Sequence, residues 1–141
     1  MMIRTLRQQK DYNCGPYCLK FFLALYGKHL SIRMLETLSN CTPRFGTSRV
    51  MMRAVVKHYA GSDHEVCISD NLDVLPAIVN YQSTDDQGVT EGHYGVVIQT
   101  IDGKHLTYDP EYGALRMIEL NDSNWYSKRY GGKWALFLKN K

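Results

Sequence analysis

The chain of 141 residues lacks the features that mark most nucleic-acid-binding, exported and membrane-spanning proteins. Its formal net charge is only +3, and no dense stripe of Lys and Arg appears, which argues against nucleic-acid binding. The longest apolar run, residues 21–25, is far too short to cross a bilayer. Residues 3–10 are polar where a signal peptide would need an apolar segment. We therefore expect neither export nor direct membrane insertion.

The sequence also lacks a dense set of cysteines, and it contains no internal repeat, low-complexity tract or linker. Four cysteines in a chain of this length are too few for a disulfide framework, so reduced thiols and a cytoplasmic location are expected. A hydrophobic content of 44% and a charged content of 22% are ordinary for a globular protein. The length is typical of one domain, which we place at residues 1–141.

The apolar pattern changes from helical to strand-like near the middle of the chain. Gly27 and Gly61 are suited to ending helices, and Ser31 and Ser48 to starting them. These signals predict helices over 17–26, 31–38 and 48–60, followed by strands over 66–68, 76–81, 93–101, 104–109, 117–120 and 133–138. A helical turn is expected near 122–126. Helices first and antiparallel strands second indicate an α+β domain.

Two finer expectations concern burial and loops. The third helix is predicted to bury an apolar face made of Val50, Met51, Ala54, Val55 and Tyr59. Residues 83–92 are predicted to form a loop because they are polar and rich in turn-forming types. Its part from 85 to 92, directly before a histidine, is interpreted either as the rim and gate of a site or as an ordinary solvated connection.

Cys14 stands where a nucleophilic cysteine is expected, at the start of the first predicted helix. A helix N-terminus and a nearby histidine both favour the reactive thiolate. Pro16 suits a first helical turn, where no N–H is needed. His93 and Asp109, far downstream, would then serve as the proton carrier and as the group that orients it. The Cys14 N–H and an upstream glutamine amide could stabilise a developing oxyanion.

This assignment requires His93 and Asp109 to lie on one face of a hairpin. A two-residue turn at Asp102-Gly103 without a bulge would place Asp109 opposite Val96, on the wrong face. A three-residue loop, or an equivalent bulge elsewhere in the hairpin, pairs Asp109 with Gly95 and restores the shared face. We therefore predict one of these two irregularities, with Gly95 leaving space over the pair.

Several segments, taken together and in order, resemble the papain-like cysteine peptidases that cut bacteriocin and pheromone leader peptides after a double glycine. The resemblance covers most of the chain and is carried by Gln8–Leu19, Leu25–Gly27, Phe45–Ser48, Leu75–Ile78, Gly92–Val97, Tyr108–Gly113, and Trp125 with the strand at 132–138. It implies a papain-like fold with an N-terminal helical part packed on a C-terminal antiparallel sheet.

The resemblance also implies an activity, partners and roles for single residues. Cleavage after Gly-Gly would use Cys14, His93 and Asp109, with Gln8, six residues before the cysteine, as the oxyanion glutamine. No cofactor or metal is implied. The substrate would be a peptide or protein with a Gly-Gly leader, processed by this chain alone or with a separately encoded ABC exporter. Cys18 replaces a frequent alanine of the family and is expected in the core.

Three other functions are compatible with the residues. The same thioester chemistry could serve an amidase, deamidase, acyltransferase or isopeptidase. A catalytically inactive papain-like module could bind peptides, although here all four catalytic positions are filled. A metal site is the third alternative. Its ligand pairs would be Cys14 with Cys18 and His64 with Cys67, but neither has the spacing typical of structural zinc.

Overall fold

The computed structural model describes residues 3–84, 87–125 and 132–141. It contains three helices, α1 (Cys14–Ala24), α2 (Ile32–Leu38) and α3 (Arg49–Tyr59). Six strands follow: β1 (His64–Ser69), β2 (Ala77–Thr84), β3 (Thr90–Ile101), β4 (Lys104–Asp109), β5 (Ala114–Ile118) and β6 (Ala135–Asn140). The predicted α+β class and its order of helices before strands are confirmed.

Helix α1 is the central helix of the fold. It packs against α2, α3 and the middle strands, so nearly all of its side chains are buried rather than those of one face alone. Its C-terminus closes at Gly27, whose positive φ of 81° lets the Lys28 N–H bond back to the Leu23 carbonyl at 3.0 Å. A hydrogen bond therefore closes the C-terminus of α1, and packing against the other helices and the sheet sets the position of its N-terminus.

The other two helices start at the predicted serine caps. The Ser31 hydroxyl accepts a hydrogen bond from the Met34 N–H at 3.1 Å, and the Ser48 hydroxyl accepts one from the Met51 N–H at 3.2 Å.

The apolar face predicted for α3 is partly wrong. The buried residues are Met52, Val55 and Val56, whereas Val50 is 75% exposed and Ala54 is also exposed. The buried face of α3 is thus rotated by about one residue from the predicted one, toward Met52 and Val56.

The six strands form one antiparallel sheet in the order β1-β6-β2-β3-β4-β5. Side chains alternate between its faces. Ile78, Tyr94, Val96 and Tyr108 belong to the apolar cluster shared with the helices. A second cluster on the opposite face includes Ala77, Val79, Tyr81, Val97, Trp125 and Phe137.

Several strand boundaries differ from the predictions. Residues 83–84 and 90–92 of the predicted loop are paired, since β2 and β3 continue to the pair Thr84–Thr90, whose hydroxyls are 2.8 Å apart. Residues 85–86 lie outside the described residues. This ladder is solvent-exposed on both faces, so it carries no apolar alternation. Strands β5 and β6 also differ from the predicted spans 117–120 and 133–138. Of the expected turn, residues 122–125 are observed and residue 126 is not described.

The hairpin between β3 and β4 contains the irregularity that the sequence required. Its turn is the two-residue type, with Asp102 and Gly103 at φ of 51° and 78°, so the predicted three-residue loop is wrong. The predicted alternative, a bulge elsewhere, is confirmed, because the register shifts between Val97 and Gln99. Beyond the shift Val96 pairs with Tyr108, which places Asp109 next along the strand, opposite Gly95.

Candidate active site

Cys14 is the first residue of α1 and is only 9% exposed. The preceding Asn13 does not cap the helix with its side chain. Its Oδ1 instead accepts a hydrogen bond from the Lys10 N–H at 3.2 Å. The first-turn N–H groups of α1 are therefore left to stabilise negative charge at this helix end.

The position of Cys14 depends on a close contact of its neighbour. A Cβ atom added at Gly15 would lie 2.9 Å from the Thr47 Cβ and 3.2 Å from the Met52 Sδ. Only glycine allows α1 to approach the turn before α3 this closely. The Tyr94 hydroxyl donates to the Thr47 carbonyl at 2.8 Å, which ties the same turn to β3. The Gly-Thr-Ser segment thus locates the cysteine relative to the sheet.

The structure brings His93 and Asp109 together on one sheet face, as predicted. The distance between His93 Nε2 and Asp109 Oδ1 is 2.9 Å, and the two residues are 8% and 2% exposed. The Cys14 side chain also interacts with His93 and favours the charged form of the imidazole. Because Nε2 faces Asp109, Nδ1 is the ring atom left for the cysteine. The three side chains therefore interact in the order Cys14, His93, Asp109.

The charged forms of His93 and Asp109 stabilise each other. Burial alone would lower the pKa of His93, but hydrogen bonds to Asp109 and Cys14, together with the charges of both, raise that pKa to about 10. Burial also opposes ionisation of Asp109. Its hydrogen bonds to His93, the Glu111 N–H and Arg116 outweigh burial and keep the pKa of the carboxyl below its usual value. A charged histidine beside an ionised aspartate is the favoured state.

Sequence reasoning missed two residues that surround Asp109. The Tyr81 ring makes an edge-to-face contact with His93 at a centroid distance of 5.6 Å, and its hydroxyl lies 3.5 Å from Asp109 Oδ2. Arg116 Nη1 donates to the same oxygen at 3.0 Å. The predicted space over Gly95 is occupied, since a Cβ there would meet Thr107 and Tyr81. Arg116 could not be recognised because the fifth strand was predicted to begin after it.

Gln8 lies beside this group in the extended N-terminal segment. Its N–H donates to the Pro110 carbonyl at 2.8 Å, just after β4. The side-chain Nε2 donates to the Lys10 carbonyl at 2.8 Å, and the Oε1 atom is buried with no hydrogen-bond partner among the described residues. An amide nitrogen carries two hydrogens, so one Nε2–H remains for a ligand. Gln8 therefore lies next to the residue that follows Asp109.

A cleft of about 640 Å³ opens at this point of the surface. Gln8 and His93 form part of its wall, and Val89, Glu91 and Glu111 line it further out. Val89 and Glu91 line this cleft, which favours the interpretation of the 85–92 segment as a rim, although Glu91 belongs to a strand rather than to a loop. His93 therefore borders a space large enough for an extended peptide.

The cysteines and the acidic groups bear on the metal alternative. Within the described ranges, one set of three potential ligands, His93, Asp109 and Glu111, has donor atoms within 4.8 Å of one another. Two of the three are already engaged, because His93 and Arg116 bind the Asp109 carboxylate. Cys18 is fully buried and forms no disulfide, and burial strongly raises the pKa of its thiol. Its predicted place in the core is confirmed.

None of the helices in the described ranges combines the length and apolar character that crossing a bilayer requires. No curated protein matches this chain significantly in sequence. Two solved structures share its fold along nearly their whole length. The peptidase domain of Streptococcus ComA, a bi-functional ABC transporter involved in quorum sensing, is similar with 20% identity and a TM-score of 0.70, covering 99% of this chain and 100% of that one.

The second structure is a double glycine motif protease from an AMS/PCAT transporter, in complex with its leader peptide. It is 17% identical with a TM-score of 0.69, and the match covers 96% of this chain and 90% of that chain. The model of the peptidase C39 family matches residues 3–139, nearly the entire sequence. This chain is therefore a cysteine peptidase that belongs to the peptidase C39 family.

Proposed function

We propose that the chain cleaves a peptide bond after Gly-Gly in leader-type substrates, with Cys14 as nucleophile, His93 as acid and base, Asp109 as the orienting carboxylate and Gln8 in the oxyanion hole. The observation that carries this proposal is the 2.9 Å contact between His93 Nε2 and Asp109 Oδ1, on a histidine whose charged form Cys14 also favours. Residues 1–141 would act as one domain, and the family match over 3–139 supports this.

The reaction would begin with the Cys14 thiolate attacking the scissile carbonyl carbon. The carbonyl oxygen would gain negative charge opposite the Cys14 N–H and the remaining Nε2–H of Gln8. His93 would give its proton to the leaving amine as the C–N bond breaks, forming a thioester with Cys14. Water, deprotonated by His93, would then hydrolyse the thioester and return the thiol. Asp109 would hold the imidazole so that Nδ1 faces the sulfur throughout.

Substrate and setting follow from the same proposal. The structural neighbours are peptidase domains of ABC transporters, and one of them was solved with a leader peptide. We propose by analogy that a peptide or protein with a Gly-Gly leader is the substrate here, and that a separately encoded exporter is a partner. A nucleophilic Cys14 must stay reduced, which supports a cytoplasmic location.

Cleavage of synthetic leader peptides tests the proposal. The chain and its Cys14→Ala variant would be incubated with a Gly-Gly peptide and with a matched peptide in which both glycines are alanines, and the products would be weighed by mass spectrometry. We expect a single cut after Gly-Gly, made only by the unsubstituted chain. Cys41 is partly buried and is not one of the proposed catalytic residues, so the Cys41→Ala variant is a control that should retain cleavage.

Other outcomes would redirect the assignment. Selective alkylation of Cys14 by iodoacetamide without peptide cleavage would point to another acyl substrate, as in an amidase or isopeptidase. If Cys14 neither cleaves nor alkylates faster than the other cysteines, the catalytic proposal is wrong and a peptide-binding module would take its place.

A further inference from the structure

The carboxylate of Asp109 is held from both sides, and its two oxygens have separate partners. Oδ1 accepts hydrogen bonds from His93 Nε2 at 2.9 Å and from the Glu111 N–H at 3.0 Å. Oδ2 accepts one from Arg116 Nη1 at 3.0 Å and a longer one from the Tyr81 hydroxyl at 3.5 Å. The Asp109 side chain is 3% exposed, so these contacts replace water almost entirely.

Arg116 reaches Asp109 because of its place in the sheet. Strand β5 pairs with β4 so that Arg116 is opposite Thr107, two residues before Asp109 and on the same face. Tyr81 and His93 are paired directly across β2 and β3. Side chains from four neighbouring strands therefore form one row, which runs from Tyr81 through His93 and Asp109 to Arg116.

The guanidinium of Arg116 is itself fixed. Its Cζ atom lies 3.8 Å from the centroid of the Tyr112 ring, in the turn that joins β4 to β5. A stacked, planar guanidinium with one N–H directed at a carboxylate oxygen restricts rotation of that carboxylate. Since Arg116 and His93 bind different oxygens, both bonds exist at once and do not compete.

We infer that Arg116 is a positioning residue, which fixes the Asp109 carboxylate so that Oδ1 stays directed at His93 Nε2. Without it, Oδ2 would retain only the long contact to Tyr81, and the carboxylate could turn about its terminal torsion. The inference rests on the proposed function of the His93–Asp109 pair. It adds a residue that acts through Asp109 and that does not touch the substrate.

Other titratable groups lie near this pair, and most of them interact with it electrostatically. They are Cys14 and Cys18 from α1, Tyr81 from β2, Tyr108 from β4 and Glu111 from the following turn. The inference is therefore tested at one fixed pH near neutrality. Only Arg116 among the described residues brings a permanent positive charge into contact with Asp109.

The experiment compares Arg116→Met with Arg116→Lys, and uses the exposed Arg33→Met on α2 as a control for loss of charge. We expect Arg116→Met to lower kcat about tenfold with KM unchanged, because an orienting, half-exposed ion pair is lost. Arg116→Lys, which keeps the charge, should recover most of kcat. Thermal unfolding of each variant checks that it is folded.

Proton NMR of the Cys14→Ala protein supplies a readout that needs no activity. The Nε2–H proton of His93, bonded to Asp109, should give a far-downfield signal that weakens in Arg116→Met and returns in Arg116→Lys. An unchanged kcat and signal in Arg116→Met would overturn the inference. So would a lower kcat with an unchanged signal and no recovery by Lys, since Arg116 would then be only structural. A different pair of results would count against the proposed function instead. These are no cleavage of Gly-Gly peptides by the unsubstituted chain, and a His93 signal that persists in Asp109→Asn.

Discussion

The two halves of the candidate site are held in place by different forces. Cys14 is located by contact between small groups, since the helix that starts at Cys14 fits the Thr47 turn only with glycine at position 15. The His93–Asp109 half is located by hydrogen bonds to the Asp109 carboxylate, mainly from the Glu111 N–H and Arg116 and more weakly from the Tyr81 hydroxyl. A larger side chain would disrupt the packing contact at Gly15, whereas removal of a polar atom would disrupt the hydrogen bonds around Asp109.

This difference determines which measurement each substitution should affect. A larger side chain on the Cys14 half should reduce stability and activity together, because the backbone must move. Removal of a polar atom on the His93–Asp109 half should reduce activity with much less change in fold, because the side-chain shapes remain.

The largest effect is expected from Asp109→Asn. Asparagine keeps the shape but loses the charge that holds the imidazolium, so kcat/KM should fall about a thousandfold or more. Steady-state cleavage of the Gly-Gly peptide measures this. Asp122→Asn, in an exposed turn where the carboxylate pairs with Lys133, is the matched control and should keep full activity. A loss of less than tenfold in Asp109→Asn would separate Asp109 from the mechanism.

Gly15→Ala is expected to reduce activity less than Asp109→Asn does, but to reduce stability as well. In an unobstructed helix this change would be favourable, but here the Cβ would lie 2.9 Å from Thr47. We expect a loss of about 1–3 kcal/mol in the free energy of unfolding, with reduced cleavage. Urea denaturation measures the first and peptide cleavage the second.

Gly61→Ala controls for backbone strain. Gly61 has a positive φ of 74° and no atom within 4 Å of the added Cβ, so it should cost about 1 kcal/mol and leave cleavage intact. If Gly15→Ala proves as stable and active as the parent chain, the packing account of the Cys14 half is wrong.

The smallest effect is expected from Tyr81→Phe. It keeps the edge-to-face ring contact with His93 and removes only a hydroxyl at 3.5 Å from Asp109, a distance at the limit of hydrogen bonding. We expect kcat/KM within about threefold of the parent value. Tyr81→Ala, which removes the ring as well, should be clearly worse. Equal losses in both variants would mean that the hydroxyl, rather than the ring, is the important group.

Local signals predicted the Cys14 half well, because its features are set by near neighbours in sequence. Ser31 and Ser48 cap their helices, and Cys14 starts α1, as their sequence contexts indicate. Whether His93 and Asp109 share a sheet face depends on the pairing register of β3 and β4. The need for a bulge could be reasoned from strand alternation, but its position at Val97–Gln99, rather than at the turn, depends on how β3 packs.

The roles of Arg116 and Tyr81 could not be predicted from the sequence because they too depend on strand pairing. Strand β5 is an edge strand with exposed Leu115 and Met117, so its apolar pattern does not mark its start, and Arg116 was left outside the predicted strand. Tyr81 was placed in a strand, but its partner His93 follows from a pairing of β2 with β3 that no local signal fixes.

NMR titration of the His93 imidazole tests the central claim most directly, since the claim is that Cys14 and Asp109 together hold this ring charged. The measurement would follow the His93 ring nitrogens from pH 5 to pH 11 in the unsubstituted chain and in Asp109→Asn. We predict that His93 stays protonated until a pKa of about 10 in the unsubstituted chain, with a clearly lower pKa in the variant. A histidine that titrates near its ordinary value of about 6.5 in both proteins would contradict the account.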